Sequence, residues 1–537
     1  MRDIRIGFGQ INPVVGDFAS NTAQIMQQIA QAAPQSDLLV FGELALCGYP
    51  LGDLSYRLDI ISATERALAE IVEYSRSEEF ADLTIVLGHV APATSKPSNQ
   101  VSYAKAHNSA TVFRNGQIIG RYDKIRLPNY DVFDDWRNFV PGDHELVFEI
   151  KGKKVAVAIC EDIWEQDSSR SASLREDGVE LLVVPNGSPY TRDKMLRRRE
   201  ATRSFQNGFA IAYANLAGGQ DDLVFDGDSF LMDETGVEIF RAGAEAGLWV
   251  TSEPIAEPTP NDPEQLFTAL VVGTRDYCIK TGQSKIVLGL SGGIDSALSC
   301  AIACEAIGPE NVLGIALPSR YSSDHSIADA QRLAKNLGCE IRTEPIENAH
   351  LVLENQLGLS GLAAENVQAR IRAVILMGIS NQENRLLLAT GNKSEIAVGY
   401  STIYGDSAGG FAPIKDVLKT DVWRLARLFN QDQGAELIPV SSIEKPPSAE
   451  LRPDQKDQDS LPDYRVLDGV LEQLIEHFLT VDEIVAMGFD RELVSEIDEM
   501  VRKAEWKRSQ GAIGPKTTAL SFGSGRRVPI TTRFGKL

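Results

Sequence analysis

Two groups of residues in this chain are of the types that make and break bonds. The first is a cysteine, a glutamate and a lysine spread over the first third. Cys160 closes the apolar run VAVAI and is followed by Glu161 and Asp162; Glu43 comes just after the apolar run LLVF; Lys124 lies in the loop-like segment RYDKIRLPNY. A strand end holds a nucleophile rigidly while leaving it reachable. There a carboxylate can accept the thiol proton, and an ammonium can favour the thiolate and stabilise an oxyanion. Taken singly, a buried cysteine is usually a packed core thiol and a lone charge usually faces solvent. Together the three residue types can open an unactivated amide, because the carboxylate that takes the thiol proton can return it to the leaving nitrogen. Backbone N–H groups near Glu161 are placed to help hold the oxyanion.

The second group is the string LGLSGGIDSALS, residues 288–299. It joins a short apolar strand to a helix, so backbone amides gather at a helix N-terminus, where anions bind. Gly292 and Gly293 let the backbone approach phosphate oxygens closely, and Ser291 and Ser296 add hydroxyl donors. This is not a Walker A loop: the expected lysine is missing, and Asp295 stands where a carboxylate could hold Mg2+ against a departing pyrophosphate. Gly289, Leu290, Ser291, Gly292, Gly293, Ile294, Asp295 and Ser296 are therefore the candidate ATP-binding loop. Further on, AENVQARIRAVILMGISN reads as an amphipathic helix with Val367, Ile371, Val374 and Ile375 toward the core and Asn366 and Arg370 on an adjacent face. The following run, residues 388–423, supplies Thr390, Glu395, Asp406, Lys415 and Lys419 after a buried strand. Loops at the carboxyl ends of parallel strands are where such sheets bind ligands.

The elements that must position these groups fall into two domains. The stretch EPIAEPTPNDPEQ, residues 253–265, carries four prolines among acidic residues and reads as a linker. Before it, the β-rich runs LLVF, LTIVLGHV, VAVAIC and LLVVPN are spaced by polar loops or helical stretches. After it, strand and helix patterns alternate regularly, as KIVLGL, ALSCAIACEAIG, NVLGIALP, DHSIADAQRLAKNLG and RLLLAT, which predicts a parallel α/β sheet. The expected division is 1–252, 253–265 and 266–537, with no internal repeat between the halves.

Composition narrows the function classes. At 537 residues the chain is too long for one core, and 43% hydrophobic with 24% charged residues is ordinary for a folded protein. A net charge of -22 argues against general nucleic-acid binding. No run of about 18 uninterrupted apolar residues suggests a membrane span, and the start MRDIRIGFGQ lacks the apolar run of a secretory signal, so a cytoplasmic protein is expected. The six cysteines, at 47, 160, 278, 300, 304 and 339, are scattered without metal-ligand spacing. Residues 501–537 reverse the overall charge with a local net of +8, and Trp506, Phe522 and Phe534 are interleaved there. A tail with apolar anchors suits docking beside an anionic ligand.

Longer strings carry a resemblance. GELALCGYP, YDKIRLPNYDVFDDWRNF, AICEDIW, VVPNGSPY and YANLAGGQDDLVFDGDSF make residues 1–250 resemble the nitrilase superfamily of carbon–nitrogen hydrolases. That resemblance implies an α-β-β-α sandwich in which Glu43 is the general base, Lys124 stabilises the tetrahedral intermediate and Cys160 attacks a glutamine carboxamide. It further implies glutamine-binding roles for Tyr130, Glu161, Ser188 and Lys194, and Asp135 is a weak candidate for a fourth, assisting carboxylate. Gly42, where a proline often precedes the glutamate, and Cys47, in place of a common threonine, depart from the pattern.

SGGIDS resembles the pyrophosphatase loop of ATP-dependent adenylating enzymes, and with KPPSAELRPDQKDQDSLPDY and KRSQGAIGPKTTALSFG the stretch 266–537 resembles the NAD synthetase family. The implied fold is a Rossmann-like parallel sheet that takes adenine nucleotide. The implied roles are Mg2+ on Asp295 and Glu395, ATP on Thr390 and Lys419, and deamido-NAD on Asn366, Arg370, Glu395, Asp406 and Lys516. Lys415, Arg526 and Arg527 are as readily explained by local charge balance. Both halves together imply glutamine-dependent amidation of deamido-NAD with ATP as co-substrate, in a homo-oligomer without nucleic-acid or membrane partners; the alternative is another glutamine-dependent adenylating amidotransferase.

Overall fold

The computed structural model describes residues 4–93, 105–164, 168–252 and 262–523. The described residues up to Gln220 and from Val224 to 252 form one compact unit, and Asp221–Leu223 with the residues from Asp262 onward form the other.

The first unit is built on two six-stranded sheets. One contains β1 (Ile6–Gln10), β2 (Leu38–Phe41), β3 (Thr84–Pro92), β4 (Ala106–Arg114) and β5 (Gln117–Asp123); the other contains β6 (Val147–Ile150), β7 (Lys153–Val157), β8 (Leu181–Pro185) and β9 (Ala210–Ala214). After a two-stranded ladder of β10 (Ala217–Gln220) and β11 (Leu223–Asp226), β12 (Phe230–Met232) and β13 (Glu238–Arg241) complete the second sheet, and β14 (Gly247–Val250) returns antiparallel to β1 in the first. The central strands β1, β2 and β3 run parallel, as do β7, β8 and β9.

Strand alternation explains the layering. Val155, Val157, Leu181 and Val183 face inward and pack with Phe8, Leu38, Val40 and Val86 of the other sheet. Their chain neighbours Ala156, Ala158, Leu182 and Val184 face outward into a second core with Leu174 and Phe205. These runs are apolar throughout because both of their faces are covered. The covering helices are α1 (Phe18–Ala32) and α2 (Leu58–Tyr74) on the first sheet and, after the one-turn α3 (Asp135–Asn138), α4 (Ser168–Glu176) and α5 (Lys194–Phe205) on the second. The result is the expected α-β-β-α sandwich.

The second unit opens with α6 (Asp262–Thr281), which begins inside the stretch read as linker; residues 253–261 lie outside the described residues. Its parallel sheet contains β15 (Ile286–Gly289), β16 (Val312–Ala316), β17 (Glu340–Thr343) and β18 (Leu386–Leu388) in the order β17-β16-β15-β18. Helices α7 (Ile294–Ile307), α8 (Asp324–Leu337), α9 (Glu347–Leu357) and α10 (Leu362–Glu383) intervene between strands, and α11 (Lys393–Val398) and α12 (Lys419–Asp432) follow β18. Strand order reverses between β15 and β18, so their outgoing loops lie side by side at the point where such sheets bind ligands.

One expected core position is wrong. Ile371 is buried and Val367 and Ile375 pack against the sheet core, but Val374 is 72% exposed. At about 100° per residue, Val374 lies about 20° beyond Val367 and about 60° from Ile371, at the edge of the stripe furthest from Ile375.

Candidate active sites

In the first unit every reactive group follows a strand. Glu43 lies in the turn after β2, Lys124 directly after β5 and Cys160 shortly after β7. Cys160 opens a single 3-10 turn, Cys160–Ile163, rather than ending the strand itself. Lys124 Nζ donates to Glu43 Oε1 at 2.6 Å and to Asp135 Oδ2 at 2.6 Å, so Asp135 is the carboxylate whose place the sequence left weakly marked. Glu43 has no solvent exposure and accepts two more hydrogen bonds, from Asn108 Nδ2 at 2.7 Å and from the Gly187 N–H at 3.0 Å. Its carboxylate is therefore fixed in direction by three different strand ends. Gly42 is explained by the same crowding: a Cβ there would stand 2.6 Å from Leu216 and 2.9 Å from the Asn186 carbonyl.

Cys160 has φ 44°, a left-handed conformation that costs a residue with a side chain about 1–2 kcal/mol. Asp162 holds the turn in that shape. Its Oδ2 accepts from the Ile159 N–H and from Tyr122 Oη, both at 2.8 Å, and its Oδ1 accepts from the Arg126 N–H at 2.8 Å. This one side chain thus ties the cysteine turn to the segment carrying Lys124. Sequence reasoning missed it; the signal available was a second acid directly after Glu161.

Burial pushes the Cys160 thiol well above its usual range, Glu43 adds to the rise, and Lys124 only opposes it. Lys124 acts in the direction expected of it, favouring the thiolate, and burial together with Glu43 outweighs it. The Lys124 ammonium, although burial disfavours it, is held charged by Asp135 and Glu43. The thiol at rest is neutral and needs a base.

Around this centre, Tyr130 is half exposed and donates from its hydroxyl to Glu161 Oε2 at 2.7 Å. Ser188 is buried and is held by Asn215 and by Arg198, which itself is paired with Asp226. The Lys194 ammonium lies 4.4 Å above the ring of Trp164, the residue that ends the cysteine turn.

In the second unit the pyrophosphate-loop string forms the predicted turn between β15 and α7. Gly292 has φ 75°, and a Cβ there would meet the Ser326 carbonyl at 2.2 Å, so only glycine fits. Ser291 Oγ accepts from the Gly293 N–H at 3.2 Å, and Ser296 Oγ donates to the Gly293 carbonyl at 2.9 Å. Asp295 occupies the first turn of α7 and reaches the loop after β18, where Asn392 Nδ2 donates to its Oδ1 at 2.8 Å. Asn392 Oδ1 in turn caps α11 by accepting from the Glu395 N–H at 3.0 Å. Lys419, at the start of α12, is buried and its ammonium bridges Asp295 Oδ2 and Glu395 Oε1, the latter at 3.1 Å. Burial pushes the Glu395 carboxyl up to about 8, with Asp295 adding to the rise and Lys419 opposing it. Asp457, hydrogen-bonded by Tyr464 Oη at 2.8 Å, adds a third acid to the electrostatics of this site, and burial raises its carboxyl too. Three carboxyl groups thus act around one ammonium. That donor set suits a divalent cation, for which Lys419 is the present counter-charge.

The proposed dinucleotide residues divide. Asn366 Oδ1 accepts from Thr402 Oγ1 at 2.8 Å, Arg370 Nε donates to the Ile403 carbonyl at 3.2 Å, and Asp406 Oδ1 accepts from the Thr402 N–H at 2.7 Å, so the 402–403 turn gathers all three. Asp406 and Glu395 also line one cleft with Ser401, Lys415 and Lys507. Thr390 is the second residue after β18. Lys516 is buried with its ammonium on the Thr518 carbonyl at 2.8 Å, beside Asp416 and Lys393 rather than in that cleft. Lys415 donates to the Ala512 carbonyl at 2.6 Å. Arg372 went unnoticed in the sequence: it is held by the Leu317 carbonyl at 3.0 Å, and burial lowers it to about 10. Of the basic tail, Phe522 is buried under Arg508 at 4.7 Å and Trp506 is half exposed, whereas Arg526, Arg527 and Phe534 lie outside the described residues.

Two family models match the chain. The carbon–nitrogen hydrolase family model matches residues 5–252 and the NAD synthase model residues 266–511. Fold and sites therefore define a two-part protein, an amide-hydrolysing sandwich followed by a nucleotide-binding parallel sheet. Glutamine-dependent NAD(+) synthetase of Thermotoga maritima is 42% identical over 99% of this chain and 99% of its own length, and that of Synechocystis is 42% identical over 98% and 99%. The structure of the Acinetobacter baumannii enzyme with adenosine diphosphate is 36% identical with a TM-score of 0.76, covering 98% of each chain. The Cytophaga hutchinsonii enzyme, 22% identical with a TM-score of 0.82 over 98% of each chain, shares the fold. The chain belongs to the glutamine-dependent NAD(+) synthetase family.

Proposed function

We propose that this chain amidates deamido-NAD to NAD, using ammonia that its first unit takes from glutamine and ATP that its second unit cleaves to AMP and pyrophosphate. The observation that carries this reading is that one chain of this family holds both a Cys160–Glu43–Lys124 centre and an Asp295–Glu395–Lys419 cluster at a strand-order reversal.

In the first unit, Glu43 takes the Cys160 proton as sulphur attacks the glutamine carboxamide carbon, and the carbonyl oxygen gains the charge that Lys124 faces. Glu43 then gives the proton to the departing nitrogen, ammonia leaves, and water releases glutamate from the thioester. Tyr130, Glu161, Ser188 and Lys194 orient the glutamine. In the second unit the nicotinate carboxylate attacks the α-phosphorus of ATP, and pyrophosphate leaves along the Gly289–Ser296 loop. Lys419 and Thr390 contact the phosphates, and Asn366, Arg370, Asp406 and Lys516 hold the dinucleotide. Asp295 and Glu395 would hold Mg2+, which when bound would supply charge neutralisation for the polyphosphate. Ammonia attacks the acyl-adenylate and displaces AMP. Only unprotonated ammonia has the lone pair for that step, which favours a sheltered transfer.

The exposed Val352, Leu357, Leu362 and Val374 of α9 and α10 support a homo-oligomer formed through the second unit. No helix of the described residues is long and apolar enough to cross a membrane, and a cytoplasmic location fits the free cysteines.

The test is an assay with ATP, Mg2+, deamido-NAD and glutamine, omitting each in turn, with 15N glutamine against excess 14N ammonium. Labelled NAD is expected only with the full set, and AMP only where ATP, Mg2+ and deamido-NAD are all present. No AMP and no amidated dinucleotide from the complete mixture would overturn the reading, and complete mixing of the two nitrogen pools would overturn sheltered transfer.

A further inference from the structure

Three cysteines that stand at scattered positions in the sequence meet inside the second unit. Cys300 and Cys304 are four residues apart on α7, so one helical turn brings their sulphurs onto the same face. Cys339 arrives from elsewhere: it directly follows Gly338, whose left-handed φ of 78° ends α8, and it directly precedes β17. The three sulphurs all lie within 4.8 Å of one another, with Cys300 Sγ and Cys339 Sγ 3.8 Å apart. Cys300 and Cys304 are buried and Cys339 is half-buried.

This spacing is not that of a disulfide, whose sulphurs stand about 2.05 Å apart. It is close to that of thiolates around one cation. With metal–sulphur bonds of about 2.3 Å, tetrahedral or trigonal angles put the sulphurs about 3.8–4.0 Å apart. One pair already has that separation, and the full set needs adjustments of less than an ångström. The chemistry of the donors selects the ion: three polarisable sulphurs, with no oxygen or imidazole ligand in the cluster among the described residues, prefer zinc, cadmium or copper(I) over magnesium or calcium. The partly exposed Cys339 side gives an ion a way in.

We propose that Cys300, Cys304 and Cys339 form a binding site for one thiophilic metal ion, separate from the Asp295–Glu395 cluster and its Mg2+. On binding, three S–H bonds break, three metal–sulphur bonds form and three protons pass to solvent; no electrons are transferred. The bound ion would pin α7, whose first turn carries Asp295, to the start of the edge strand β17. Binding to the folded state alone stabilises the second unit by mass action.

The experiment is a titration of the reduced full-length protein with Cd2+, in the presence of Mg2+, reading the near-ultraviolet thiolate-to-metal absorption and the protons released. One equivalent of Cd2+ bound stoichiometrically at micromolar protein, three protons released and a raised unfolding temperature are expected, with Zn2+ displacing the band. Cys339→Ser, at a half-exposed position and checked for folding by circular dichroism, should lose the band although Cys47, Cys160 and Cys278 remain; Cys304→Ser should weaken it. No band in the reduced, folded wild type overturns the proposal, as does a band of unchanged amplitude and stoichiometry in Cys339→Ser.

Discussion

Replacing Lys124 with Met removes the one cation from a buried group of acids while keeping the bulk of the side chain. The wild-type ammonium contacts Glu43 and Asp135 at 2.6 Å each, and those side chains are 0% and 6% exposed. Removing one partner of a buried pair costs about 3–5 kcal/mol, because the charge left behind has neither water nor a counter-ion. The loss must depend on pH. Burial already raises the Asp135 carboxyl even with Lys124 opposing it. Without the ammonium, the folded-state Asp135 carboxyl rises further above its unfolded value of about 4. A group raised in the folded state contributes stability below its unfolded pKa and loses it as pH rises through the folded pKa. The deficit of the variant is therefore largest near neutrality and shrinks toward pH 5. With two compact units a single unfolding transition is not assured, so the suitable assay is hydrogen exchange of β2, β4 and β5 amides at pH 7 and pH 5, alongside NAD formation from glutamine and from ammonium. Glutamine-driven synthesis should vanish and ammonium-driven synthesis persist. Adding Glu43→Gln should restore part of the stability. A loss below about 1 kcal/mol, the scale of an exposed pair, or the same deficit at both pH values would refute the reasoning.

Cys160→Ala should abolish glutamine-driven synthesis and leave the ammonium-driven rate intact; equal loss of both, measured as NAD formed, would contradict separable sites. Asp295→Ala should remove both activities, since it sits in the loop proposed to take ATP and is the residue on which Asn392 and Lys419 converge; an unchanged pyrophosphate release rate would exclude it. His89 is buried, with Nδ1–H donating to the Val90 carbonyl at 2.8 Å and Nε2 accepting from Thr111 at 2.7 Å, and burial lowers it to about 4. A lowered histidine stays neutral when folded but takes up a proton when unfolded, so stability should fall by about 3 kcal/mol as pH drops from about 6.5 to 4; His89→Gln should flatten that part of the unfolding-against-pH curve. Val374→Lys on the exposed face of α10 should lower the assembly mass seen by sedimentation, and an unchanged mass would remove this face from the assembly.

What could be read without the fold is what local chemistry enforces. The SGGIDS string demands a tight turn at a helix start, and the structure places it there with Gly292 left-handed. Uninterrupted apolar runs such as LLVVP demand cover on both faces, which the sandwich provides. The order Glu43, Lys124, Cys160 within recognisable strings marked the reactive centre, although each residue alone was ambiguous. Tertiary structure decided what depends on distance between segments remote in sequence. It gave Asp135 its place on Lys124, made Asp162 the anchor of the cysteine turn, and set Asp457 to influence the Asp295 cluster. It also put Val374 in solvent and gathered Cys300, Cys304 and Cys339. Electrostatics belongs to this second class as well. A thiol beside a lysine reads as activated in one dimension, but burial and the Glu43 carboxylate outweigh Lys124 and hold the Cys160 thiol above its usual range. Sequence spacing fixes which groups a turn presents; only the packed fold fixes how many charges share one counter-ion and how much water reaches them.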